Sequence, residues 1–153
     1  MNKIYNILII VLFICFSNNI IFAKPIIFGD FNNVQYVKNY DGDTITVNIL
    51  KVHPLLGYHI NIRIRGIDCP EIRSHCLKEK QLAIKAKNIV HQICSTGNQL
   101  ILKNVSRGKY FRIIADVYVG QINLKDILLK NHVAVLYDGR KKINWSEYLN
   151  STN

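Results

Sequence analysis

The sequence predicts a mainly β protein of the α+β class: a five-stranded Greek-key barrel with two or three attached helices. Three observations lead there. Alternating, β-branched segments lie on both sides of one amphipathic stretch. The elements run in the order β-β-β-α-β-β-α. Neither a linker nor an internal repeat divides the chain, and 153 residues, 49% of them hydrophobic, suit one domain around one core.

The barrel does not begin at residue 1. "MNKIYNILIIVLFICFSNNIIFA" opens with Lys3, continues as an apolar run from Ile4 to Phe16, breaks at Ser17–Asn19 and ends on Ile-Phe-Ala before Lys24. That layout predicts a secretory signal peptide over 1–23, cut after Ala23, and therefore export. An uncleaved membrane anchor is the alternative reading. A short extended lead occupies 24–33. Beyond the signal segment the chain keeps 19 basic against 10 acidic side chains, a net of +9. Such a balance suits a polyanionic partner, either nucleic acid or an anionic surface. Fourteen of the whole chain's 20 basic residues are lysine and the chain is also rich in Ile and Asn, a composition that AT-rich coding would produce by itself.

"VQYVKNY" and "DTITVNILKV" alternate as strands do, and Pro54 and Gly57 in "HPLLGYH" make the connection into "INIRIRGI". "DCPEIRSHC" reads as loop. From about Lys78 the period changes: Leu82, Ala86, Ile89, Val90 and Ile93 fall on one helical face until Ser95–Gly97. "QLILKNV" and "YFRIIADVYVG" return to strand character. Asn123, with Asp126 behind it, starts a helix over "LKDILLKN". The domain spans 34–137. Residues 138–153 form a basic tail in which Trp145, Tyr148 and Leu149 are spaced for one docking turn of helix. Of the three cysteines past the signal segment, Cys69 and Cys76 are the pair to test for a disulfide. A continuous helix would hold Cys76 and Cys94 too far apart.

The tripeptide YDG occurs twice, at Tyr40–Gly42 and Tyr137–Gly139, and Asp-Gly is first a turn signal. The second copy has only a basic tail beside it and reads as a turn. The first runs into Asp43 and Thr44. Alone, "DGDT" reads as a hairpin turn with solvated acids. "IRIRGIDCPE" adds Arg63 and Arg65 at period two, then Asp68 and Glu71 just past the strand end. "RGKYFR" adds Arg107, Lys109, Tyr110 and Arg112 beside another strand. Two carboxylates from separate strand ends can hold a hard divalent cation. A third can orient or deprotonate a water, and arginines can fork onto phosphate oxygens. Phosphodiester hydrolysis needs this combination. Cys69, His75 and Cys76 form a weaker metal set, three zinc ligands crowded into one loop.

In these segments the chain resembles the staphylococcal nuclease homologues, or thermonuclease-like proteins, whose fold is the oligonucleotide-binding (OB) barrel. The resemblance runs from about Val34 to Tyr137 and rests on "DGDT", "IRIRGIDCPE", "GKYFR" and "LLKNHVA" in that order. It implies calcium as cofactor, held by the carboxylates of Asp43 and Asp68 and the main-chain carbonyl of Cys69, which stands where many members have Thr. It implies that Glu71 activates or positions the attacking water and that Arg63 and Arg112 clamp the scissile phosphate. Lys109 and Tyr110 match positions that contact an outer phosphate, while Asp41 and Thr44 support the metal ligands. The implied activity is an exported, monomeric, calcium-dependent endonuclease acting on DNA and RNA and leaving 3′-phosphates. Gly108 and Phe111 depart from the best-known member, which has Asp and Gly there. Two other functions compete: a nuclease-like barrel that holds nucleic acid without cutting it, and a basic protein that docks on anionic membrane or envelope polymer.

Overall fold

The structure, a computed structural model, describes residues 26–108 and 111–151. Its strands are β1 (Phe31–Asn39), β2 (Thr44–Ile49), β3 (Ile60–Ile64), β4 (Ile67–Asp68), β5 (Leu100–Arg107), β6 (Ile113–Val119), β7 (Ile122–Asn123) and β8 (Val135–Leu136). Its helices are α1 (Pro54–Gly57), α2 (Leu77–Cys94), α3 (Leu124–Lys130) and α4 (Trp145–Ser151).

The sheet order is β3-β2-β1-β5-β6, and a parallel pairing of β3 with β6 closes the ring. Five strands thus form the closed barrel that the order of elements predicted, and no strand in the ring is left with an unpaired edge. Alternation along the strands decides which side chains fill it. Ile45, Val47, Ile62, Ile64, Leu102, Ala115 and Val117 are all essentially inaccessible. The short β4 pairs with β8 outside the ring, with Asp68 opposite Val135. That pairing draws the chain after β3 toward the C-terminal segment.

Helix α2 lies against the barrel on a face slightly turned from the one the large residues suggest. Its buried line is Glu79, Ala83, Ala86, Val90 and Cys94, while Leu82, Ile89 and Ile93 are partly buried at its flank. Small side chains on the inner line let the helix backbone approach closely, and the larger ones seal the edges. Gly42 belongs to this contact. A Cβ there would come within 2.6 Å of Ala86 Cβ and 2.9 Å of Cys69 Sγ.

Asn123 caps α3 as its type predicts, its side chain accepting from the Lys125 amide at 3.0 Å. The tail is more ordered than one docking turn: α4 has seven residues, packs on α2 and buries Trp145. Cys69, Cys76 and Cys94 are all free thiols, so the Cys69–Cys76 pairing does not form. Residues 1–25 lie outside the described residues, so the signal segment has no structural account. Among the described residues no helix is long and apolar enough to cross a membrane.

Candidate active site

The turn between β1 and β2 builds the first wall of the site. The Asp41 side chain accepts from the amides of Asp43 (3.2 Å) and Thr44 (2.8 Å), and this closed turn sends Asp43 inward. Asp43 is only 2% exposed, so it is not a solvated turn acid. Its Oδ2 accepts from the Cys69 amide at 3.0 Å and its Oδ1 from the Thr44 hydroxyl at 3.1 Å. Burial, the largest influence, pushes the Asp43 carboxyl up to about 6 against the opposing pull of Arg63.

Arg63 enters from β3, whose register sets it opposite Thr44. Its guanidinium bridges the two acids, Nη1 on Asp43 Oδ1 and Nη2 on Asp68 Oδ1 at 3.0 Å, with a further bond to the Ile67 carbonyl at 3.2 Å. Asp68, at the end of β4, is 1% exposed. One guanidinium between two buried carboxylates is a fork geometry that lysine could not reproduce. Arg65, two residues on, serves the barrel instead. It donates to Ser106 Oγ at 2.9 Å and the Ile114 carbonyl at 3.3 Å, and pairs with Asp116, thereby tying β5 to β6.

Glu71 stands in the loop after β4, with its side chain largely in solvent. Its carboxylate accepts from Lys142 Nζ at 2.8 Å, and the same ammonium lies 3.0 Å from Asp68 Oδ1. Trp145 completes this side, its indole N–H donating to Asp68 Oδ2 at 3.1 Å from within the core. Lys142 and Trp145 come from the stretch read from sequence as a basic tail. The Trp-containing helical spacing hinted at docking, but nothing local to it pointed at Asp68.

An open cleft of about 550 Å³ begins at Arg63 and is lined by Arg65, Gly108, Arg112, Tyr137, Asp138 and Lys142 among others. Arg112 is exposed here and has no side-chain hydrogen bond or ion pair among the described residues. Phe111 before it is 80% exposed, with φ near +56° and Arg107 over its ring at 5.4 Å. The second YDG is therefore more than a turn. Gly139 does take the positive φ of one, yet Tyr137 and Asp138 face the cleft beside Arg63. Lys109 and Tyr110 lie outside the described residues.

The structure thus brings Asp43, Arg63 and Asp68 into direct contact, joins Glu71 to Asp68 through Lys142, and sets Arg112 in the lining of the same cleft as Arg63. Asp41 accepts from the Asp43 and Thr44 amides, and the Thr44 hydroxyl donates to Asp43. Among the described residues no three His, Cys, Asp or Glu side chains converge as metal ligands, so the Cys69, His75 and Cys76 set does not assemble. Burial pushes the Cys69 thiol up, with Asp43 adding to the effect, so its sulfur stays protonated.

Fold and site together define a class: a small closed OB barrel of nuclease-like architecture, with a buried acid–arginine cluster opening on a cationic cleft. The chain belongs to the staphylococcal nuclease homologue family, whose model matches residues 61–151. The match takes in β3 from its second residue, with Arg63, the acidic loop, Arg112 and the whole of α4. No curated protein matches the chain.

Proposed function

We propose that this protein is an exported, calcium-dependent nuclease that hydrolyses phosphodiester bonds of DNA and RNA and leaves 3′-phosphate products. One observation carries the reading: two buried carboxylates, Asp43 and Asp68, meet at Arg63 on the edge of a cleft that also presents Arg112. A fold alone needs no such concentration of charge, because burying ions costs more than burying apolar groups of similar volume.

The donor set fits a hard cation, for it is all oxygen and two of its three groups are carboxylates. Asp43, Asp68 and the Cys69 main-chain carbonyl would hold calcium, which when bound would polarise a phosphoryl oxygen. The chain's own groups do the rest. Arg63 and Arg112, which line the same cleft, would receive the scissile phosphate and stabilise the charge that builds on it. Glu71 would accept a hydrogen bond from the attacking water and aim it at phosphorus. Lys109 and Tyr110 would hold the neighbouring phosphate. The signal segment over 1–23 supports export.

Arg112→Ala tests this. Removing one preorganised charge-stabilising group should slow plasmid or RNA degradation roughly 10²- to 10³-fold in the presence of calcium. Wild-type rates in that variant, or cutting that persists in excess chelator, would exclude the mechanism. Retention of labelled DNA with no cleavage at any calcium concentration would leave the non-catalytic binding barrel as the function.

A further inference from the structure

We propose that Lys142 is a tethered counter-cation of the acid site, which a divalent metal must displace in order to bind. The proposal rests on the metal-site reading above and adds a competitor built into the chain.

Every carboxylate oxygen of Asp43 and Asp68 already accepts a donor from the protein. Asp43 Oδ1 takes Arg63 and Thr44, and Oδ2 takes the Cys69 amide. Asp68 Oδ1 takes Arg63 and Lys142, and Oδ2 takes the Trp145 indole. Asp43 Oδ1 and Asp68 Oδ1 each hold two donors already, so a metal reaches either of them only where one leaves, and the donors differ in how easily they do so. The Cys69 amide is fixed in the backbone. The Trp145 indole is buried, and its withdrawal would open the packing of α4. The Arg63 side chain is 11% exposed and bonded to both acids at once.

Lys142 is the exception. Its side chain is 45% exposed, lies between β8 and α4, and reaches Asp68 and Glu71 from the cleft side. Its ammonium can swing into water on a four-carbon stem while Asp68 keeps Arg63 and Trp145 as partners. While in place it holds Asp68 Oδ1 at 3.0 Å and Glu71 Oε1 at 2.8 Å, a proposed metal ligand and the acid proposed to position the water. A divalent cation at Asp68 would meet this ammonium at contact distance, and the two like charges exclude each other. By linkage, whatever the ammonium gains from the two acids is subtracted from metal affinity.

Calcium titration calorimetry on wild type, Lys142→Met, Lys142→Arg and Lys141→Met separates this from a general charge effect. Lys141 is one residue away and carries the same charge, with neither acid in contact. Lys142→Met should bind calcium about fivefold or more tightly, while Lys142→Arg and Lys141→Met stay near wild type. Lys142→Gln, which keeps a polar tip, should tighten binding in the same direction and covers the case of a poorly folded Met variant. Equal affinity in wild type and both neutral variants, or an equal gain in Lys141→Met, would overturn the proposal while leaving the metal site intact. Absence of calcium binding in every form would overturn the metal reading itself.

Discussion

Gly42 sits where the first YDG suggests a glycine needed for turn geometry, but its role is one of space. Its α-carbon faces Ala86 on α2 and the Cys69 sulfur, and the contact at 2.6 Å is with a methyl group that cannot rotate away. Gly42→Ala should therefore push α2 off the barrel and cost about 1–3 kcal/mol, as overpacking does. Urea unfolding monitored by circular dichroism would measure it. A neutral or stabilising Gly42→Ala would mean that the helix has slack at this point. Because Asp43 follows directly, the same strain should reach the acid site, and the variant's calcium affinity reports whether it does.

At the scale of elements, Glu79 holds three pieces together. It lies in the first turn of α2, buried, and accepts from Ser74 Oγ at 2.7 Å, Ser146 Oγ at 2.9 Å and the Glu71 amide at 3.2 Å. The acidic loop and α4 are thus both tied to one carboxylate. Burial works to raise its pKa, and the hydrogen bonds from Ser74, Ser146 and Glu71 outweigh it, leaving the carboxyl below its ordinary value. The sign follows from linkage. A lowered folded-state pKa means stability present above the unfolded pKa, roughly pH 4, and lost as pH falls through the folded value. Glu79→Gln should lower stability at pH 7 by about 1–2 kcal/mol, with the gap to wild type narrowing below roughly pH 4. Thermal melts of both proteins between pH 3 and pH 7 test this. A gap that stays constant would assign the role to shape rather than charge.

For the molecule as a whole, charge sets the terms of encounter. A formal net charge of +10 accompanies a cleft lined by Arg63, Arg65, Arg112 and Lys142. In chelator, where cleavage is blocked, binding to a single strand should weaken steeply with salt. Three or four phosphate contacts, each contributing a slope of about −0.7, give a loss of roughly 10- to 100-fold between 50 and 200 mM. Fluorescence anisotropy across that range would show it. A flat response would mean that the basic residues are spread over the surface without facing a polyanion.

The sequence by itself determined the barrel, because period-two alternation, the switch to helical period near Lys78 and the Asn123 cap are local signals that packing had no reason to override. It also named the candidate residues Asp43, Arg63, Asp68 and Glu71, because the first two lie at strands that alternation marks and the acids of the loop follow directly after one. Only the tertiary structure decided what those groups touch. That Asp43 is buried, that Arg63 is held between two acids, and that Gly42 yields its space to Ala86 depend on how α2 settles on the barrel. The short β4–β8 pairing brings the distant C-terminal segment back to the acids, so that Lys142 and Trp145 meet Asp68 and Tyr137 enters the cleft. Contacts 67 to 77 residues apart in the chain leave no local pattern, and a lysine that neutralises buried acids is spelled no differently from one that faces water.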